Sequence, residues 1–156
     1  MKIKWKKLIA SLAVPLAVGG LSGLITRDNV IMFELVTKPP LAPPAWLFPA
    51  VWTLLYILMG LASCTVWVSD AQPKLKRRGA VYYALSLVLN FCWPIIFFNL
   101  DKYLAAFICL CLLWISVLLT AVQFRRADGR AGRLMLPYLL WVTFAGYLNM
   151  GIYLLN

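Results

Sequence analysis

A chain of 156 residues, 63% of them hydrophobic types and only 13% charged, cannot hide its apolar surface as a soluble domain, where about half and about a quarter are usual. That balance excludes disorder, collagen and a disulfide-stapled secreted module, and it assigns the chain to a bilayer. The formal charge is +10 and there is no histidine, so histidine-based mechanisms are excluded as well.

Five stretches carry no charge: Leu8–Ile25, Ala45–Val68, Ala80–Phe98, Tyr103–Val122 and Leu134–Leu155, of 18, 24, 19, 20 and 22 residues. At about 1.5 Å per residue each is near the roughly 30 Å of a hydrocarbon core. Lipid offers the backbone no hydrogen bonds, so each run reads as a helix. The expected fold is all-α, an integral membrane bundle of five transmembrane helices forming one domain over residues 1–156.

The first span follows Lys2, Lys4, Lys6 and Lys7. A cleaved signal peptide has a similar layout, but no clear A-x-A site follows, so the stretch reads as a retained helix. Within it Gly19 and Gly23 form a small-x-x-x-small pair that permits close helix approach, inside the bundle or between chains. The first connection, Thr26–Pro44, is the one long loop and contains K-P-P-L-A-P-P. Four prolines there exclude helix and favour stiff, polyproline-like backbone, and a long stiff loop suggests a functional cap.

In the second span Phe48, Trp52 and Tyr56 repeat at i, i+4, i+8 and share a face. In the third, Asn90 lies deep in hydrocarbon near Phe91, Trp93, Phe97 and Phe98, and Pro94 should distort the helix. A very short connection, Asn99–Lys102, makes spans three and four a hairpin. In the fifth, Tyr138, Trp141, Ala145 and Leu148 share a face, with Phe144 and Tyr147 nearby and Asn149 buried. A carboxamide in lipid costs a few kcal/mol unless hydrogen-bonded; each asparagine is either interhelical glue or the polar anchor of a ligand. The aromatic faces are equally open to two readings, bundle core or the wall of a cavity for a flat apolar molecule.

Lys and Arg divide 12 to 3 between the two sides of the bundle. The rich side holds the N-terminus and the connections after spans two and four, and is expected to be cytoplasmic, leaving the C-terminus outside. The net charge is then a collar for anionic lipid headgroups, and nucleic acid is not an expected partner. The five acids, Asp28, Glu34, Asp70, Asp101 and Asp128, all fall in connections. With no ionisable residue in the spans, a proton-coupled pump is disfavoured and no acid–base or nucleophile pair can form. Cys64, Cys92, Cys109 and Cys111 read as apolar packing. No catalytic set, metal site or cofactor is expected.

Three blocks in order, Lys38–Gly60 (K-P-P-L-A-P-P-A-W-L-F-P-A-V-W-T-L-L-Y-I-L-M-G), Leu89–Phe98 (L-N-F-C-W-P-I-I-F-F) and Pro137–Asn149 (P-Y-L-L-W-V-T-F-A-G-Y-L-N), resemble the signature of the translocator protein / tryptophan-rich sensory protein (TspO/MBR) family, as a bacterial member in the plasma membrane. The resemblance covers essentially the whole chain. It implies a five-helix bundle, often dimeric, that binds porphyrins, in some members sterols or synthetic aromatic ligands, between the helices under the first connection. Carried over, Trp52, Asn90, Trp93, Tyr138, Trp141, Phe144, Ala145 and Leu148 would line the site. Phe48, Tyr56, Phe97, Asn149 and the loop residue Leu41 complete the expected ligand-binding set. The implied role is sensory or regulatory; the alternatives are light- and oxygen-dependent porphyrin breakdown, or translocation of porphyrin or sterol. Leu41 and Met150 stand where family members often carry tryptophan, which removes an aromatic contact from the loop and weighs against photodegradation. The animal proteins' sterol motif, which ends in Tyr then Lys/Arg, is absent after Tyr147, although a reversed version runs from Arg133 through Tyr138 to Leu139.

Overall fold

The computed structural model describes residues 5–156; Lys2 and Lys4 of the expected collar lie outside the described residues. Among those described there is no strand. Five helices are long and apolar enough to cross a membrane. They are α1 (Trp5–Thr26), α3 (Leu47–Val68), α4 (Pro73–Pro94, prolonged by a π-helical turn over Ile95–Asn99), α5 (Tyr103–Ala127) and α7 (Leu136–Leu155). Two short helices lie in the connections, α2 (Met32–Leu35) and α6 (Gly129–Leu134).

The helices outrun the uncharged stretches where basic side chains reach past the apolar layer. Thus α4 begins at Pro73, not Ala80, and places Lys74, Lys76, Arg77 and Arg78 on its first turns, while α5 continues through Arg125 and Arg126 to Ala127. Proline at the first helical position of α4 costs nothing, because that N–H has no partner in any case. Charge marks where lipid ends, not where a helix ends. The first connection likewise differs from a uniform extended loop. It carries α2 before the non-helical proline segment.

Pro94 distorts α4. Lacking an N–H, it breaks the i to i−4 ladder, and the chain continues as a wider turn in which the Leu100 N–H donates to the Ile95 carbonyl at 3.2 Å. Asn99 secures that turn, accepting from Asn29 Nδ2 at 2.9 Å and donating to the Ile25 carbonyl at 3.2 Å.

In the bundle α5 packs against α4 and α7, and α1 against α3 and α4. Helices α3 and α7 approach one another far less closely. Large rings fill the gap: Trp52 meets Tyr138 edge-on at 6.0 Å, and Phe48 meets Trp141 edge-on at the same centroid distance. At the opposite end Asp128, in extended backbone, accepts from the Arg130 N–H at 2.7 Å and so caps α6, supplying a partner to a helix-start N–H that would otherwise be unpaired.

Candidate functional site

The site is built by α1 and α3, which touch at one level and part at the next. A Cβ at Gly60 would lie 2.8 Å from the Ser11 carbonyl, and one at Gly19 would overlap the Tyr56 ring; the two helices cross closely there because both positions lack side chains. One turn on, Gly20 and Gly23 face open space, with nothing within 4 Å of an added Cβ. From Gly19 at the crossing onward, α1 presents Ser22, Gly23 and Thr26, a small-residue face too short to fill the widening gap. The result is a cavity of about 600 Å³ between α1, α3, α4 and the start of the first connection. Its open flank, bounded by the exposed Leu16, Gly20, Pro49 and Thr53, faces outward between α1 and α3.

Phe48, Trp52, Tyr56, Asn90 and Trp93 of the expected set come together on this cavity. Trp52 stacks on Tyr56 at 5.8 Å and 28°, and leans on Trp93 at 6.2 Å and 37°. Asn90 is 1% exposed. Its Nδ2 donates to the Tyr56 hydroxyl at 2.8 Å, while its Oδ1 has no partner among the described residues. An unsatisfied carbonyl oxygen in an apolar interior costs about 1–3 kcal/mol, which a donor on a bound molecule would recover.

The other expected residues lie elsewhere. Tyr138 is fully buried behind Trp52. Phe97, Ala145, Leu148 and Asn149 border only a gap of about 10 Å³ beneath Phe33 and Phe48, too small for any ligand. Asn149 is saturated: Oδ1 accepts from Trp93 Nε1 at 3.0 Å and Nδ2 donates to the Tyr103 carbonyl at 2.7 Å. Trp141 and Phe144, 5.5 Å apart, continue to Tyr147 on the far side of Phe48. Leu41 points away, 83% exposed, with φ 67°, a left-handed conformation that costs a leucine about 1–2 kcal/mol.

Several cavity residues lie outside the expected ligand-binding set: Ser22, Thr26, Arg27, Val30 and Phe33, together with Trp46 and Phe98, which the sequence places among its aromatic clusters but not at the site. The spacing Gly19, Ser22, Gly23, Thr26 at i, i+3, i+4, i+7 was a legible signal of an unfilled face. Arg27, exposed and 3.5 Å from Asp28, puts a guanidinium at the rim.

The first connection is held down over this end. Pro39 packs on Gly151, where a Cβ would approach it to 2.6 Å. The Tyr147 hydroxyl donates to the Pro40 carbonyl at 2.8 Å, and the Asn156 amide pairs with both the N–H and the carbonyl of Thr37 at 3.0 and 2.9 Å. Glu34 joins the ends of the loop, accepting from Lys38 Nζ at 3.0 Å and from the Ala45 N–H at 3.3 Å. The Lys38 hydrogen bond, then its charge, holds the Glu34 carboxyl below its ordinary value of 4.5.

Fold and cavity together define a multi-pass α-helical membrane protein with a ligand-sized, aromatic-walled void opening sideways near one end. The chain belongs to the TspO/MBR family, whose pattern matches residues 11–155. It is 41% identical over 124 residues to the tryptophan-rich protein TspO of Chlorobaculum tepidum, covering 80% of this chain and 78% of that one. It is 33% identical to the tryptophan-rich sensory protein of Cereibacter sphaeroides over 156 residues, 100% of this chain and 95% of the relative. To the translocator protein of Ovis aries it is 31% identical over 150 residues, 93% and 87% of the two chains. Sensing and translocation are the roles those names carry.

Proposed function

We propose that this protein binds a flat, largely apolar small molecule, a porphyrin or related tetrapyrrole, in the cavity between α1, α3 and α4, and that occupancy serves a sensory or regulatory role. The observation that carries the reading is the pairing of an aromatic wall, Trp52 on Tyr56, with the unpartnered Oδ1 of Asn90. Rings supply broad apolar area with a preferred stacking geometry. A single buried acceptor selects a molecule with a donor at its edge, as the protonated carboxyl arm of a porphyrin or the lactam N–H of an opened tetrapyrrole provides. A volume near 600 Å³ falls within the roughly 300–1,000 Å³ usual for small-molecule sites. Arg27 at the rim suits a ligand with a peripheral carboxylate. The 12-to-3 division of Lys and Arg supports a bacterial plasma-membrane location with the N-terminus cytoplasmic, and the family resemblance supports a homodimer.

The test is quenching of intrinsic fluorescence by protoporphyrin IX in purified protein. Trp52→Ala and Asn90→Ala should each weaken the apparent affinity about tenfold or more, with helical circular dichroism unchanged. Saturable quenching with the unaltered protein's affinity in both variants would remove the cavity from consideration.

A further inference from the structure

A molecule can reach the aromatic cavity from water, past the first connection, or from lipid, between helices. The aqueous end is tied shut. The loop is fastened across the bundle to α7 through Tyr147, Gly151 and Asn156, and Glu34 draws its two ends together. Beneath it Phe33, 4% exposed, meets Phe48 edge-on at 5.1 Å, and Lys38 Nζ lies 4.8 Å from the centre of the Phe33 ring. On the α4 side the amide pair Asn29–Asn99 joins the start of the loop to the π-helical turn. Lifting this roof means breaking several of these contacts at once.

The flank between α1 and α3 is built differently. Leu16 and Gly20 on α1 and Pro49 and Thr53 on α3 border it, and all four are exposed. The hydroxyls on the way in are turned back onto backbone: Thr53 donates to the Pro49 carbonyl at 2.7 Å, Ser22 to the Phe91 carbonyl at 3.3 Å and Thr26 to the Ser22 carbonyl at 3.0 Å. The passage therefore presents a lipid-like surface, since none of these groups is left in need of water, and the unpartnered Oδ1 of Asn90 waits at its inner end. Helix α1 is also the least buried of the five spans. It carries glycine at 19, 20 and 23, which weakens a helix in its interior, so this wall yields more readily than the roof. Gly20 lies about 9 Å along the axis from the end of α1 at Thr26, at about 1.5 Å per residue, a depth below the headgroups.

We infer that the ligand enters and leaves this cavity sideways, between α1 and α3, from the lipid leaflet opposite the basic collar, and that Gly20 is the gate position while the first connection stays in place as a fixed roof. This rests on the binding site proposed above and deepens it: the ligand is a molecule already dissolved in the bilayer, not one captured from water.

The full-length chain in phosphatidylcholine vesicles is to be mixed rapidly with protoporphyrin IX and the quenching of its fluorescence timed. Gly20→Phe sets a ring across the mouth, where an added side chain meets open space. It should slow association and release alike, each about tenfold, with affinity kept within about twofold; Thr53→Phe, from the facing helix, should do the same. Tyr147→Phe/Asn156→Ala, which frees the loop from α7, should leave both rates unchanged. Faster association with the loosened loop, or unaltered rates in both flank variants, overturns the inference. So does lost affinity at an unaltered association rate, which would put the new ring in the site and not at its entrance. A second arm needs no porphyrin. With Cys64, Cys92, Cys109 and Cys111 replaced by alanine, Ser22→Cys places a thiol inside the mouth. Lipid-dissolved N-phenylmaleimide should label it, about tenfold more slowly once Gly20→Phe is added, and a charged, water-confined methanethiosulfonate should label it far more slowly whether or not the loop is loosened. That pattern without porphyrin quenching would remove porphyrin as the ligand and keep the entrance. Labelling by neither reagent, or labelling from water that quickens when the loop is loosened, would remove the entrance and leave the binding site standing.

Discussion

The two buried asparagines differ in what surrounds them, and the difference separates core from site. Asn149 faces α4 and α5, where Trp93 Nε1 and the Tyr103 carbonyl use both ends of its amide. Asn90 faces α1 and α3, where Tyr56 uses one end and the other is left over. The same contrast runs through the aromatics. Toward α7, rings from two helices meet and close the space; toward α1, the rings meet glycine, serine and threonine, and space remains. A saturated amide is structural; one left half-satisfied is available only where it also borders open space, as Asn90 does and the equally unpartnered hydroxyl of Tyr138, 0% exposed in the core, does not.

The contrast can be broken from either side. The largest effect is expected at the saturated amide: Asn149→Leu should orphan the Trp93 N–H in an apolar interior and cost about 3 kcal/mol of stability, read as a lowered thermal midpoint in detergent. A midpoint matching the unaltered protein would mean that this bond is not structural. Next, Gly19→Ala should cost about 2 kcal/mol, because the added methyl overlaps a Tyr56 ring that Asn90 holds in place. Gly23→Ala, facing open space, should leave stability unchanged or slightly raised. Equal destabilisation by both would contradict the crossing geometry of α1 and α3.

A smaller effect concerns the loop. Glu34 titrates below its ordinary value of 4.5, so its contribution is complete above that value and is lost as pH falls through the lower, folded one. Hydrogen exchange at the Ala45 amide, which Glu34 accepts, should gain protection relative to Glu34→Gln at pH 6 and lose that advantage near pH 3. A difference independent of pH would remove Glu34 as a latch. The smallest effect belongs to Leu41→Ala. With the side chain 83% exposed and off the cavity, porphyrin affinity should stay within about twofold, and a tenfold loss would bring the proline segment into the site.

Much of the architecture was legible in the chain itself. Uncharged runs near 20 residues can do little else than cross a bilayer as helices, and the three motif blocks carry the family. Pro94 announced the distortion of α4. Less legible were the helix ends, since basic turns continue α4 and α5 past the apolar layer, and the short α2 within the first connection. The site was legible in part. Trp52, Tyr56, Asn90 and Trp93 meet on the cavity, whereas Tyr138, Leu148 and Asn149 are indistinguishable from them by residue type and pack in the core.

Hydrophobicity and charge belong to single residues, so the sequence by itself determined that the chain enters a membrane, how many times it crosses, and at which end its cations gather. Whether a given ring becomes wall or filling depends on the helix across from it and on the distance between the two axes. That is a property of pairs far apart in the chain, and only the tertiary structure decided it: close where Gly19 and Gly60 let α1 and α3 touch, open further along where α1 turns Ser22, Gly23 and Thr26 toward the cavity.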